Sequence, residues 1–251
     1  MKKIIATSLF CLTMLVSNLH AQIADSSINM FQVGINYGFH FPSGNLADRF
    51  GVSSTIGLSV DYKFKSNWSL GLEYNYIFGG NIKDSSSMLS GLMTENGQII
   101  NMYGEYGTFV LTERGFYSGA RVSKLIPVLG PNKNSGIIIS IGAGLLQHHI
   151  HIENKDNNTP PILGDYKKGY DKLCNGFSSK QFIGYQYLDN RGLINFYVGF
   201  EFYEAFTMSR RDYDFDIMGY DDTKRKDFLG GIRVGWILPL YQKAPDKFYY
   251  Y

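Results

Sequence analysis

One short stretch carries side chains whose types and spacing could bind a metal ion. In "HHIHIE", His149, His151 and Glu153 recur at every second position, which places them on one face of a strand. Imidazole and carboxylate groups are common ligands of zinc and other transition metals. No second ligand cluster accompanies the stretch, and it stands at the root of a long loop. We therefore predict no metal site there.

Three aspartates alternate in the stretch "DYDFD": Asp212, Asp214 and Asp216. A calcium loop of the EF-hand type needs a glycine at its sixth position and a glutamate at its twelfth. Met218 stands near the first of those offsets and Thr223 stands at the second, so the motif fails. We predict instead that the adjacent Arg210 and Arg211 pair with these acids across a loop, as weak surface ion pairs.

A histidine, a serine and an acid also lie close together near the end of the first segment of alternating residues: His40, Ser43 and Asp48. Some small membrane barrels use such a set near their outer rim to modify lipid A. The surrounding residues do not form the strained turn that presents a nucleophile in hydrolases. We therefore predict no catalytic residue and no cofactor.

The elements that must position these residues are strands. In "FQVGINYGFHFP", apolar residues at odd positions alternate with small or polar ones, and seven later segments repeat this period of two. Short connections alternate with long ones at 42–54, 79–107, 153–178 and 207–226, as in outer-membrane barrels. The pattern predicts an all-β fold, an eight-stranded antiparallel up-and-down transmembrane β-barrel. A secreted soluble β-protein is the alternative.

The composition of the two strand faces decides which face meets lipid. The apolar face carries no charge at its mid-strand positions, where a cation would cost about 2–4 kcal/mol in a bilayer. The residues predicted to face lipid include Phe31, Val33, Ile35, Tyr37, Phe39, Trp68, Leu70, Leu72, Phe196, Phe200 and Trp236. The other face is rich in glycine, serine and amides, which suits the narrow interior of an eight-stranded barrel.

Isolated charges on this second face are predicted to meet in the lumen: Asp61, Glu73, Arg121, Glu201 and Arg233. They could line an ion path. Because buried charges require partners, we predict that they form a paired, hydrogen-bonded plug.

The ends of the chain predict export. Residues 1–21 combine Lys2 and Lys3 with a short apolar run and a small residue before Gln22, the layout of a secretory signal peptide. Without Lys2 and Lys3, 22 of the 24 basic residues remain against 22 acidic ones, so a nucleic-acid partner is not expected. We predict a barrel over residues 22–241 and a short periplasmic tail over residues 242–251, with both termini periplasmic. Cys174 is expected in the third long loop, where an impermeant maleimide should label it on intact cells unless the loop folds over it.

Three stretches carry a resemblance: "PSGNLADRFG", "KGYDKLCNGFSSKQFIGYQYL" and "GGIRVGWILPLY". The chain resembles small outer-membrane β-barrels of the Bacteroidota, which are related in architecture to the OmpA and OmpW barrels. Members of this broad family include barrels that serve secretion machinery, such as PorG of the type IX system. OmpA-type proteins often carry a peptidoglycan-binding domain after the barrel, and this chain shows none.

The function predicted from these observations is a non-enzymatic structural or assembly role in the outer membrane. The expected partners are membrane lipid and other envelope proteins, within a secretion or outer-membrane protein complex. The alternatives are a small channel or ligand-binding barrel, and a lipid-modifying enzyme.

Overall fold

A computed structural model describes residues 27–83, 88–189 and 194–240, and these contain eight antiparallel strands that close into a barrel in chain order. The strands are β1 (Met30–Gly44), β2 (Ser53–Lys63), β3 (Trp68–Gly79), β4 (Phe109–Ile126), β5 (Gly136–Asn154), β6 (Cys174–Leu188), β7 (Asn195–Ser209) and β8 (Arg225–Leu240). The predicted fold class is confirmed. The predicted signal peptide (1–21) and tail (242–251) lie outside the described residues.

The register of the strands gives the stagger of the barrel. Stepping between paired residues from Phe31 around all eight strands returns to β1 at Phe41, ten positions further along. In an eight-stranded barrel, a stagger of this size tilts the strands by about 40°. The interior of such a barrel is just wide enough for side chains to fill it.

The outer wall carries a band of apolar side chains, here called the apolar belt. Its members are exposed or half-buried, and none is charged. Belt residues on β1–β4 are Phe31, Val33, Ile35, Tyr37, Phe39, Phe41, Ile56, Leu58, Val60, Trp68, Leu70, Leu72 and Val122; those on β5–β8 are Ile139, Ile141, Phe177, Ile183, Phe196, Val198, Phe200, Phe202, Ile232, Val234 and Trp236. Outward charges lie at its margins: Lys124 beside the short turns, and Arg114, Glu204 and Lys226 towards the long loops.

The connections sort by length onto the two rims. The strand ends joined by the turns 64–67, 127–135 and 189–194 lie on one rim. The strand ends joined by the long loops L1 (45–52), L2 (80–108), L3 (155–173) and L4 (210–224) lie on the other. L1 contains the one-turn helix α1 (Leu46–Arg49). The strands are longer than predicted: β5 continues to Asn154 and β6 begins at Cys174, so L3 is shorter than the expected 153–178. Among the described residues, no helix is long and apolar enough to cross a membrane.

The barrel is closed at the rim of the short turns. Ile28 packs against a buried cluster that includes Met30, Phe182 and Leu188. The buried Lys63 ammonium donates to the Asn134 side chain at 2.9 Å and to the Ser27 hydroxyl at 3.1 Å. The segment before β1 and the 127–135 turn therefore cover this opening.

At the opposite rim, the loops share a second buried cluster with the strand ends. Leu46 and Phe50 of L1, Leu89 and Ile99 of L2 and Ile162 of L3 belong to this cluster. L2 and L3 pack against the ends of β4 and β5 nearest the long loops, where these two strands extend beyond the apolar belt. The long loops thus form a folded cap over the barrel.

Candidate functional site

The most distinctive group of polar residues lies inside the barrel, enclosed by the belt. We call it the lumen cluster: Asp61, Glu73, Arg121, Lys180, Glu201 and Arg233. Each member points inward because it occupies the opposite phase from the belt residues of its own strand. Three carboxylates face three cations, so the formal charge of the cluster is balanced.

Glu73 is the centre of this cluster. One of its carboxylate oxygens, Oε2, accepts hydrogen bonds from Arg233 at 3.0 Å, Lys180 at 3.1 Å and Arg121 at 3.4 Å. Glu73 is buried, so water does not screen these contacts as it would at a surface. A single carboxylate thus holds cations from β4, β6 and β8 together.

Glu201 forms the second centre. Its Oε2 atom lies 2.9 Å from the Lys180 ammonium and 3.1 Å from the Arg233 guanidinium, while its Oε1 atom lies 2.7 Å from the Nε2 atom of His40. Lys180 and Arg233 therefore bridge Glu73 and Glu201. The buried imidazole of His40 extends the network towards the loop rim.

Asp61 and Arg121 form the remaining pair. The guanidinium donates to both carboxylate oxygens, at 2.8 and 2.5 Å, which is the strong two-point geometry of arginine with a carboxylate. A Cβ atom at Gly71 would lie 2.0 Å from Oδ1 of Asp61. Glycine at this position therefore leaves room for the aspartate, which explains one of the small residues on the inner face.

Tyrosine rings complete the packing around the cations. The Lys180 ammonium lies 4.6 Å from the ring centre of Tyr203 and 5.4 Å from that of Tyr117. Arg233 donates from Nε to the Tyr197 hydroxyl at 3.1 Å. These rings exclude bulk water while their π faces and hydroxyl groups interact with the cations.

The space left in the interior is small. One cavity of about 20 Å³ adjoins Asp61 and Arg121, and another of about 10 Å³ adjoins Glu73, Lys180 and Arg233. Each has room for about one water molecule. Some buried polar atoms, including the side-chain amides of Asn36 and Asn75, have no hydrogen-bond partner among the described residues, and internal water could supply one. Both cavities beside the lumen cluster are therefore far smaller than a channel.

The structure brings the five predicted lumen charges together and adds two residues that sequence reasoning missed. The predicted alternation of β6 begins only at Ile183 and so omits Lys180, although Lys180 has the opposite phase to Ile183 and Tyr185 and would point inward in a longer strand. His40 was considered for catalysis at the rim. The structure instead places it inside, hydrogen-bonded to Glu201.

The eleven side chains predicted to face lipid all lie on the outer wall. Leu72 and Phe200 are among the most exposed, at 67% and 66%, and Val33 is half-buried. Trp68 lies near the rim of the short turns, where Lys124 sits 4.9 Å from its ring centre.

The residues considered for catalysis do not form a site. His40 points into the lumen, whereas Ser43 and Asp48 are exposed at the loop rim. His149, His151 and Glu153 lie together on the outer face of β5, above the belt. Within the part of the chain that the structure describes, no group of three or more His, Cys, Asp and Glu side chains is arranged to hold a metal ion.

The direct partners of the L4 arginines differ from the prediction, although Asp212 and Asp214 add to the effect of Asp171 in raising the pKa of Arg211. Arg211 forms an ion pair with Asp171 of L3, and Arg210 donates to the side chain of Asn175 at 2.5 Å. Asp216 pairs with Lys172, also of L3. The charged residues of L4 thus hold it to L3 and to the start of β6. The sequence could not predict these partners, because the segments meet only in the folded barrel.

Asp214 of L4 is buried, and neither of its carboxylate oxygens has a hydrogen-bond partner among the described residues. Burial raises the pKa of Asp214, Lys172 opposes the rise, and the nearby Asp216 and Asp221 add to it. Asp214 is thus a buried carboxyl group of L4 for which both oxygens lack a hydrogen-bond donor among the described residues.

The expected position of Cys174 in the third long loop was also wrong. Cys174 is the first residue of β6, its side chain points inward, and none of its surface is exposed. The Arg49 guanidinium of α1 donates to its Sγ atom at 3.2 Å. Because α1 covers the end of the barrel, the thiol is shielded from the outside.

Comparisons with known proteins return structural matches only. Neither a protein-family model nor a curated protein matches the sequence. The crystal structure of Ail, the attachment invasion locus protein of Yersinia pestis, in complex with the heparin analogue sucrose octasulfate, is 10% identical with a TM-score of 0.43; the match covers 84% of this chain and 99% of that chain. The solid-state NMR structure of outer membrane protein AlkL in DMPC lipid bilayers is 9% identical with a TM-score of 0.37. That match covers 91% of this chain and 99% of the AlkL chain. At these values we draw no functional argument from them, and the fold assignment rests on the closed ladder of strands.

Proposed function

We propose that the chain is an integral outer-membrane β-barrel with a non-enzymatic structural or assembly role, acting through contacts between its loop cap and other envelope proteins. The observation that carries the proposal is the apolar belt. In water, so many exposed aromatic and aliphatic side chains would drive aggregation. In a bilayer the same side chains meet lipid tails.

The closed barrel supports the same environment. Lipid offers no hydrogen bonds to backbone groups, so a spanning sheet must pair all its edges. Here β1 pairs with β8, which leaves no edge strand. In the proposed orientation, the predicted signal peptide directs export, the short turns lie in the periplasm and the long loops lie outside the cell.

The packed lumen favours a structural role over transport. A general pore needs a continuous water path, whereas the lumen cluster and the tyrosine rings fill the cross-section. Residues before β1 and the 127–135 turn also cover one end. A small channel is therefore the rival function, and it predicts steady conductance.

The loop cap supplies a surface for partners. It has its own buried residues, and ion pairs join L3 to L4, so it is ordered enough to present a fixed surface. Aromatic and apolar side chains remain on its outside: Tyr103, Tyr166, Tyr213, Met218 and Tyr220 are 46–73% exposed. Exposed tyrosine and methionine are enriched in protein interfaces. A component of a secretion or outer-membrane protein complex would use such a surface.

The test separates the two parts of the proposal. Membrane fractionation and the heat-dependent gel shift of a folded barrel test insertion. Extraction in mild detergent, native mass and identification of co-purified proteins then test the assembly role. A matched pair of variants, Tyr166→Ser in the cap and Tyr62→Ser at the opposite rim, should show loss of the partner for the first only.

Recovery in the soluble fraction would overturn the membrane assignment. A membrane-inserted protein that carries no partner and conducts ions in a planar bilayer would overturn the assembly role in favour of the channel.

A further inference from the structure

The apolar belt is interrupted on one side of the barrel, over β4, β5 and β6. The outward side chains there are small or polar, and we call them the β4–β6 patch: Ser118, Ala120, Ala143, Ser179 and Gln181. Ala120 pairs with Ala143, and Ala143 pairs with Ser179, so these small residues lie side by side in one row of the ladder. Because these side chains are small, another wall could approach the barrel closely there.

The β4–β6 patch also contains a polar amide side chain, that of Gln181. It lies within the belt, between Phe177 on the loop side and Ile183 on the turn side, and it points outward. Its amide nitrogen donates to the Ser179 hydroxyl at 2.9 Å. Within ranges 27–83, 88–189 and 194–240, no protein group donates a hydrogen bond to its amide oxygen. Lipid tails cannot supply one, so the amide remains partly unsatisfied in a bilayer.

The wall beside Gln181 is also concave. A hollow of about 650 Å³ opens next to it, with Gly230 contributing no side chain and with Phe41, Phe200 and Ile141 at its sides. Ile141 and Phe200 are both 66% exposed and project from the wall on either side of Gln181. A partner wall would therefore find both a recess and projecting apolar side chains.

We propose that a second copy of this chain occupies the patch, forming a two-fold symmetric dimer within the membrane with Gln181 at its centre. The inference rests on the membrane location proposed above. Copies inserted in the same orientation carry Gln181 at the same depth, so a two-fold axis along the membrane normal brings the two amides together. An amide both donates and accepts, so the pair is self-complementary. A different protein would need a polar group at the same depth.

Disulfide trapping in isolated outer membranes tests the dimer. Ser179→Cys is placed in a Cys174→Ser background with Gln181 retained, and the membranes are oxidised with copper phenanthroline. Leu58→Cys is the matched control, because it lies within the belt on β2, four strands around the barrel from β6. We expect at least tenfold more cross-linked dimer from Ser179→Cys than from Leu58→Cys. Adding Gln181→Leu should reduce cross-linking at Ser179→Cys about tenfold.

The native mass of the otherwise unmodified protein provides a second measurement. In mild detergent it should equal two chains, and Gln181→Leu should shift it to one. Equal cross-linking at the two cysteine positions, or a monomer mass for the unmodified protein, would overturn the dimer. If Ser179→Cys lacks the gel shift of a folded barrel, Ala143→Cys in the neighbouring position replaces it.

The two proposals fail differently. A folded, membrane-inserted monomer refutes the dimer and leaves the membrane assignment intact, whereas recovery in the soluble fraction refutes both.

Discussion

Replacing Glu73 by glutamine should destabilise the barrel strongly, although the two side chains have nearly the same shape. The glutamate accepts hydrogen bonds from Arg233, Lys180 and Arg121 within 3.4 Å, and it is buried. Glu73→Gln leaves three cations facing two carboxylates in a lumen without bulk water. Removing one partner from a buried ion pair costs about 3–5 kcal/mol, and we expect a loss in that range.

The second step restores the charge balance. Lys180→Met removes one cation and keeps the apolar stem that packs near Tyr203. The double variant Glu73→Gln with Lys180→Met should therefore lose much less stability than the sum of the two single losses, by at least about 2 kcal/mol. Glu105→Gln, on the exposed part of L2, is the control and should change stability by less than about 0.5 kcal/mol.

The assay is urea unfolding from lipid vesicles, followed by the fluorescence of Trp68 and Trp236, both of which lie on the outer wall. Unfolding moves these rings into water and shifts their emission to longer wavelength. A loss below about 1 kcal/mol for Glu73→Gln, or strict additivity in the double variant, would refute the argument that the lumen is a coupled, charge-balanced plug.

Three further outcomes follow from the structure. Cys174 should resist an impermeant maleimide on intact cells and react after unfolding in urea; labelling at the rate of a free thiol would contradict its burial beneath α1. Leu72→Arg, at an outward position that is 67% exposed, should lower unfolding free energy in vesicles by about 2–4 kcal/mol, and an equal loss in detergent-free aqueous extracts would argue against lipid contact. Asp214→Asn tests the sign of a pKa shift: because the folded-state pKa is raised, Asp214 favours folding most below its unfolded value and costs stability as pH rises through the folded value. The stability of Asp214→Asn relative to the original protein should therefore increase from pH 4 to pH 7, and a difference independent of pH would exclude this cause.

Much of the fold could be predicted because alternation is a local property. Each residue of a strand points away from its neighbours, so the sequence order of Phe31 to Phe41 already separates an apolar face from a small and polar one. The same parity placed Asp61, Glu73, Arg121, Glu201 and Arg233 on one face before any register was known. Loop lengths then distinguished the two rims.

The candidate site was less predictable because its members come from different strands. Lys180 and Glu73 are 107 positions apart and meet only because the barrel closes with its particular stagger. The boundary of β6 mattered as well: a strand that starts at Cys174 carries both Cys174 and Lys180 inward, whereas an alternating segment that starts at Ile183 includes neither. The alternation of side chains along a strand predicts which face of the sheet a residue lies on, whereas the register between strands decides which residues become its neighbours.

By itself, the sequence determined the strand period, the two chemically distinct faces and the alternation of short and long connections, because each depends on neighbouring residues along the chain. Only the tertiary structure decided which charges pair, that His40 joins Glu201, that α1 covers Cys174, and that L4 is tied to L3 through Lys172 and Arg211. These contacts depend on distances across the barrel and between loops, which the stagger and the packing of the cap set together.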